Sequence, residues 1–197
     1  MNETSCFFAR LKRMFWPAAS CGLTLFSFFL FSAANPLQEN ITGIGWVNGR
    51  LWLMVLYCLY ACLFCAFLSW KYFSAKAHPG IGQGLAFSWL VILAGSLLPW
   101  KAGEPEILAL DLHSLLCTAA IAGQALCMIR ILQDWSFEPD IKKTARLVLA
   151  SLAVAFALFA WSQSISLLCE ISYVNGYAWI LSVMQVQQSL SSSSCQE

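Results

Sequence analysis

Six stretches of this chain are each apolar over roughly the 20 residues that a helix needs to cross the hydrocarbon core of a bilayer, and they leave little chain for anything else. They run over about 14–34, 51–70, 83–100, 112–132, 146–163 and 166–186. Only 11% of the 197 residues are charged and 59% are hydrophobic. Soluble domains carry about 25% charged residues. A water-soluble fold of this length would lack the polar surface to cover itself. The expected architecture is therefore all-α: a polytopic bundle of six transmembrane helices over 1–187, with a serine-rich tail over 188–197.

The last two runs meet at the short polar turn "SQSIS" (162–166), which reads as a helical hairpin because one helix of their combined length would overshoot the bilayer. The first run follows Arg10, Lys12 and Arg13, as a signal peptide would, but it is long for one and "SAANPLQ" is a loose cleavage match. It reads as a retained span.

Orientation follows from where lysine and arginine fall. With the N-terminus cytoplasmic, Arg10, Lys12, Arg13, Lys71, Lys76, Arg130, Lys142, Lys143 and Arg146 lie inside, nine of the eleven basic residues, and only Arg50 and Lys101 lie outside. Six crossings then return the C-terminus to the cytoplasm. A net charge of +1 with no basic stripe excludes an electrostatic nucleic-acid binder. The expected location is a cell (inner) membrane in a bacterium, or an endomembrane or plasma membrane in a eukaryote.

Two outer loops result. "NPLQENITGIGWVNGR" (35–50) mixes turn residues with Ile and Trp, as a segment folding back over helix ends would, and contains the sequon Asn40-Ile41-Thr42. "KAGEPEILALD" (101–111) is acidic through Glu104, Glu106 and Asp111. On the inner side, Cys6 beside "FFARLKR" is a candidate for acylation.

Polar residues inside apolar runs carry the functional signal, because bilayers tolerate them only when they face a bundle interior or a cavity. In the fourth run His113, Cys117, Gln124 and Cys127 fall at helical offsets of 0, 4, 11 and 14 and form one stripe. In the sixth, Ser166, Glu170, Tyr173 and Tyr177 share a face. Glu170 and His113 sit at similar depth near the outer side, so a shared outward-opening pocket is expected, with Tyr173 near its rim and Gln124 deeper. The plainer alternatives are an interfacial His113 and a Glu170 that only ties spans together. Tyr173 and Tyr177 also suit simple packing.

Residue supply limits enzyme chemistry. Two histidines on opposite sides cannot build a three-histidine zinc site. GxSxG, HExxH and P-loop patterns are missing from the sequence. The nine cysteines are scattered through apolar runs, where they behave as small hydrophobes. No metal or cofactor is expected.

Four segments together resemble the six-span group that includes the damage-regulated autophagy modulators (DRAM), the FRAG and SFK-type proteins and bacterial domain-of-unknown-function relatives. They are "NITGIGWVNGRLWLMVLY", "GQGLAFSWLVILAGSLLPW", "LHSLLC" with His113, and "CEISYVNGYAW" with Glu170. Ile171 stands where that family has Trp after its acid, and "ITGIG" departs from its usual wording. The resemblance implies a non-enzymatic or lipid-linked membrane protein, with interest passing to His113 and Glu170. The leading expectation is thus a multi-pass protein whose polar pocket meets membrane lipids or a partner membrane protein, with oligomers possible. Its alternatives are a small proton-coupled transporter and a membrane enzyme acting on lipid head groups.

Overall fold

A computed structural model describes residues 3–98, 107–162 and 165–194. Seven helices follow one another: α1 (Glu3–Phe31), α2 (Ile41–Trp46), α3 (Leu51–Lys76), α4 (Pro79–Leu97), α5 (Ile107–Gln133), α6 (Pro139–Ser162) and α7 (Leu167–Ser194). Six of them are long and apolar enough to cross a membrane, over Met14–Phe31, Leu51–Lys76, Pro79–Leu97, Leu112–Gln133, Pro139–Ser162 and Leu167–Gln188. Among the described residues there is no strand. The chain is a multi-pass integral membrane protein. Glu104 and Glu106 lie outside the described residues, as do the side chains of Cys6 and Asp111.

Several helices outrun their apolar cores. α3 spans about 39 Å at 1.5 Å per residue, against a hydrocarbon core of about 30 Å. α6 begins at Pro139, seven residues before Arg146, and α7 continues through the serine-rich stretch to Ser194. Adding a residue to an existing helix fixes one pair of dihedrals and makes one more hydrogen bond, so polar flanks join easily.

α3 and α7 form the middle of the bundle, with 56% and 44% of their spans buried against 22–28% for the other four. They meet each other directly. α4 packs along α3 and α5 along α4; α6 packs on both α5 and α7, and α1 packs on α7 while touching α3 only slightly. Inside lie Tyr57, Tyr72, Phe73, Trp89 and Tyr177, while Leu25, Phe29, Leu126, Phe156 and Trp161 point outward. So many outward apolar side chains would be a liability in water and are ordinary against lipid.

Local chemistry sets the joints. Only Ala77 and His78 separate α3 from α4. His78 caps α4 by accepting Gly80 N–H on Nδ1 at 3.1 Å, and Pro79 occupies the first helical turn, where its missing N–H costs nothing. Gly49, with φ of 68°, supplies the left-handed turn that returns the chain from α2 to α3. At the opposite end, Lys71 Nζ sits 4.2 Å from the centre of the Trp16 ring.

Candidate functional site

Two helix N-termini meet at the end of the bundle that carries α2, and each satisfies the other's backbone donors. The first N–H groups of any helix have no partner within it. In α2, Asn40 Oδ1 accepts from Gly43 N at 2.6 Å and from Thr42 Oγ1 at 3.0 Å. The donor Asn40 cannot reach, Ile41 N–H, goes to Glu170 Oε2 at 2.7 Å. In return Leu167 N donates to Glu39 O at 2.5 Å and Leu168 N to Pro36 O at 3.0 Å, while Ser166 Oγ accepts from Cys169 N at 3.4 Å. The Glu170 carboxylate therefore latches a short buried helix onto the start of α7. The sequon is absorbed in the same joint: Asn40 is the cap, and Thr42 is only 2% exposed.

His113 has a different partner. Its Nδ1 lies 2.8 Å from the Gly95 carbonyl oxygen at the end of α4. α5 can come that close because Gly95 has no side chain; a Cβ there would sit 2.9 Å from Cys117 Sγ. Among the described residues, no hydrogen bond or ion pair joins His113 to Glu170.

Gln124 and Tyr173 are brought together. Both are buried, and the Tyr173 hydroxyl donates to Gln124 Oε1. Tyr173 stacks on Trp89, which meets Tyr177 edge-on, and the Tyr177 hydroxyl is 2.6 Å from Ser69 Oγ. Gln124 Nε2 is buried without a partner among the described residues. This layer joins α3, α4, α5 and α7 in the middle of the bundle. Of the four sequence candidates, then, Gln124 and Tyr173 share a bond, while His113 and Glu170 each hold a separate helix end.

A further feature escapes the spacing of polar residues along single helices. Between α1 and α7, in the half of the bundle nearer α2, lies a cleft of about 220 Å³ lined by Thr24, Ser27, Phe28, Phe31, Leu168, Ile171, Ser172 and Asn175. Its base is polar. Ser27 is 1% exposed; its Oγ lies 3.2 Å from the Tyr57 hydroxyl and accepts from Asn175 Nδ2 at 3.1 Å. Thr24 Oγ1 accepts from Trp179 Nε1 at 3.0 Å. Below it the two helices close, with Ser20 Oγ 2.8 Å from Ser182 Oγ. Phe28, 61% exposed, marks the open side. The loop before α2 is tied to Leu168 at the other edge of the cleft. None of the lining residues is charged. The usable signal was the pair of i, i+3 polar steps, Thr24–Ser27 and Ser172–Asn175, on two helices that happen to face each other.

No family model, curated protein or solved structure matches this chain.

Proposed function

We propose that this is a lipid-interacting membrane protein, non-catalytic, that takes a membrane lipid into the cleft between α1 and α7. The observation that carries this reading is the cleft itself, a polar floor of Ser27 and Asn175 set between apolar walls and open toward Phe28. Polar groups are expensive at membrane depth unless they serve a purpose, and an amphipathic molecule from the bilayer supplies both kinds of surface at once. The excess of basic residues on the side away from α2 supports an outer-leaflet position for the cleft. The likeness to the lipid-linked DRAM and FRAG group points the same way. The carrier alternative needs His113 and Glu170 on one path, and their separate partners, Gly95 O and Ile41 N, favour the lipid reading over it.

The test is photo-crosslinking of the full chain in vesicles with lipids that carry a diazirine in one acyl chain. Ser172→Phe, which fills the cleft, is expected to abolish labelling of the cleft-lining residues Thr24, Ser27, Ile171 and Asn175. Val154→Phe, on an outward position of α6 that is 55% exposed, is expected to leave that labelling unchanged. Equal labelling in both variants would remove the proposal.

A further inference from the structure

We infer that the cleft selects a neutral lipid with a compact, hydroxyl-bearing head group of the diacylglycerol kind, over a phosphodiester lipid. This rests on the lipid reading above and adds the ligand's chemical class. Donors and acceptors in the cleft decide the class. The Ser172 hydroxyl spends its hydrogen on Leu168 O at 2.6 Å, and the Thr24 hydroxyl spends its own on Ser20 O at 2.9 Å. Serine and threonine in membrane helices commonly bond back to their own helix in this way. Each hydroxyl oxygen has two lone pairs. Ser172 Oγ keeps both for a ligand and Thr24 Oγ1 keeps one, since Trp179 Nε1 takes the other.

Asn175 adds partial capacity of both kinds. Its Oδ1 receives only a 3.4 Å contact from Ser27 Oγ, and its Nδ2 uses one of two hydrogens on that same oxygen. The cleft surface is mainly apolar, and the few polar atoms that reach it offer more acceptors than donors.

A ligand that fits must bring hydrogen-bond donors. A free hydroxyl does. A phosphodiester lipid brings a negative charge whatever donors its head group carries, as phosphatidylglycerol does with two hydroxyls, and no cation among the lining residues meets that charge; burying it unpaired is very unfavourable. Size limits the choice further. A cleft of about 220 Å³ that opens on the Phe28 side suits a small, glycerol-sized head. Acyl chains would run out past Phe28 and Phe31 into the bilayer.

The experiment presents the full chain, in phosphatidylcholine vesicles, with three diazirine probes of identical chains: diacylglycerol, phosphatidylglycerol and phosphatidylcholine. Labelling mapped to the cleft-lining residues Thr24, Ser27, Ile171 and Asn175 is expected to be at least about tenfold stronger with diacylglycerol. Ser172→Ala and Thr24→Val each remove one acceptor with little change in volume, and each is expected to cut diacylglycerol labelling about three- to tenfold while leaving the faint phospholipid labelling unchanged. If all three probes label equally and Ser172→Phe removes all three signals, the class assignment is wrong and the lipid reading stands. If Ser172→Phe removes none, both are wrong. Should Ser172→Phe fail to fold, the probe ratio in Ser172→Ala and Thr24→Val decides the class on its own: a ratio unchanged from the parent chain overturns it.

Discussion

The α3/α4 hairpin and the α1/α7 pair are both antiparallel helix contacts, yet one is sealed and the other is open. In the hairpin Gly82 faces Ser74, and the two backbones come so close that a Cβ on Gly82 would overlap Ser74 Oγ and lie 2.6 Å from Ser74 N. In membranes, where lipid is as apolar as a side chain, close backbone approach at small residues is a main source of helix association. Between α1 and α7 the helices touch through Ser20 and Ser182 and farther along are bridged by Ser27 and Asn175, with Phe28 and Phe31 lining the gap beside them. Contact made by glycine is scaffold. The gap between α1 and α7 has hydroxyls at its floor and phenylalanine in its walls.

The sharpest way to break this contrast is to open the sealed side. Gly82→Ala puts a methyl group into backbone, which cannot step aside, so a loss of about 3 kcal/mol or more is expected, at the upper end of overpacking effects. Gly84, two residues along α4, has nothing within 4 Å of where its Cβ would be, so Gly84→Ala is expected to be neutral or slightly stabilising through helix propensity. Melting of the two purified variants in the same detergent makes the comparison. Equal melting temperatures would show that the hairpin is not held by backbone contact.

A second close approach, between α6 and α7, is expected to be milder because the obstacle is a side chain. A Cβ on Gly176 would overlap Ser151 Oγ and lie 3.1 Å from Ser151 Cβ. Gly176→Ala is expected to cost about 1–3 kcal/mol. That hydroxyl is itself buried without a partner among the described residues, so Ser151→Ala removes both the overlap and an unsatisfied group. The double variant is expected to recover most of the loss, and a double-mutant cycle reads the coupling. Additive losses would mean that the methyl clashes elsewhere.

The sequence announces these helices but not their partners. Six spans follow from hydropathy because each crossing must satisfy that constraint by itself. The inward faces of α5 and α7 also follow from spacing: Gln124 and Tyr173 are buried on the stripes that helical periodicity draws. What spacing along one helix cannot supply is the rotation and register of the next. Glu170 and His113 look like a natural pair because they are the acid and the imidazole at one depth. Each instead bonds a backbone group, Ile41 N–H and Gly95 C=O, that nothing in the residue identity singles out. α2 is too short, at six residues, for periodicity to register. The cleft was hidden for the same reason, since Ser27 and Asn175 are unremarkable until α1 and α7 are set side by side.

Between the sealed and open regions stands the Glu170 latch, which ties α2 across the bundle's end beside the cleft. Glu170→Leu would leave the Ile41 N–H buried without an acceptor, at a cost of about 1–3 kcal/mol. Glu170→Gln retains a carbonyl oxygen that can take the same bond and is expected to lose less than about 1 kcal/mol. Equal losses in the two variants' thermal melts would mean that the charge, and not the acceptor, holds α2. That outcome would then also weaken the view of Glu170 as a cap separate from any proton path.

The smallest effects are expected within the open seam, and their ranking matters more than their size. Ser27 Oγ is bonded to Asn175 and stands 3.2 Å from the Tyr57 hydroxyl, so it links α1, α7 and α3. Ser27→Ala is expected to cost about 1 kcal/mol, the usual worth of a buried hydrogen bond. Ser172 bonds only to the carbonyl of its own helix one turn back, and its removal is expected to change stability by less than about 0.5 kcal/mol. A residue that lines the cleft while contributing almost nothing to the fold is where a ligand contact can be separated from a structural one. If Ser172→Ala destabilised the protein as much as Ser27→Ala, the two would belong to one structural network. The open seam would then differ from the hairpin only in how its helices are joined, and not in what it is for.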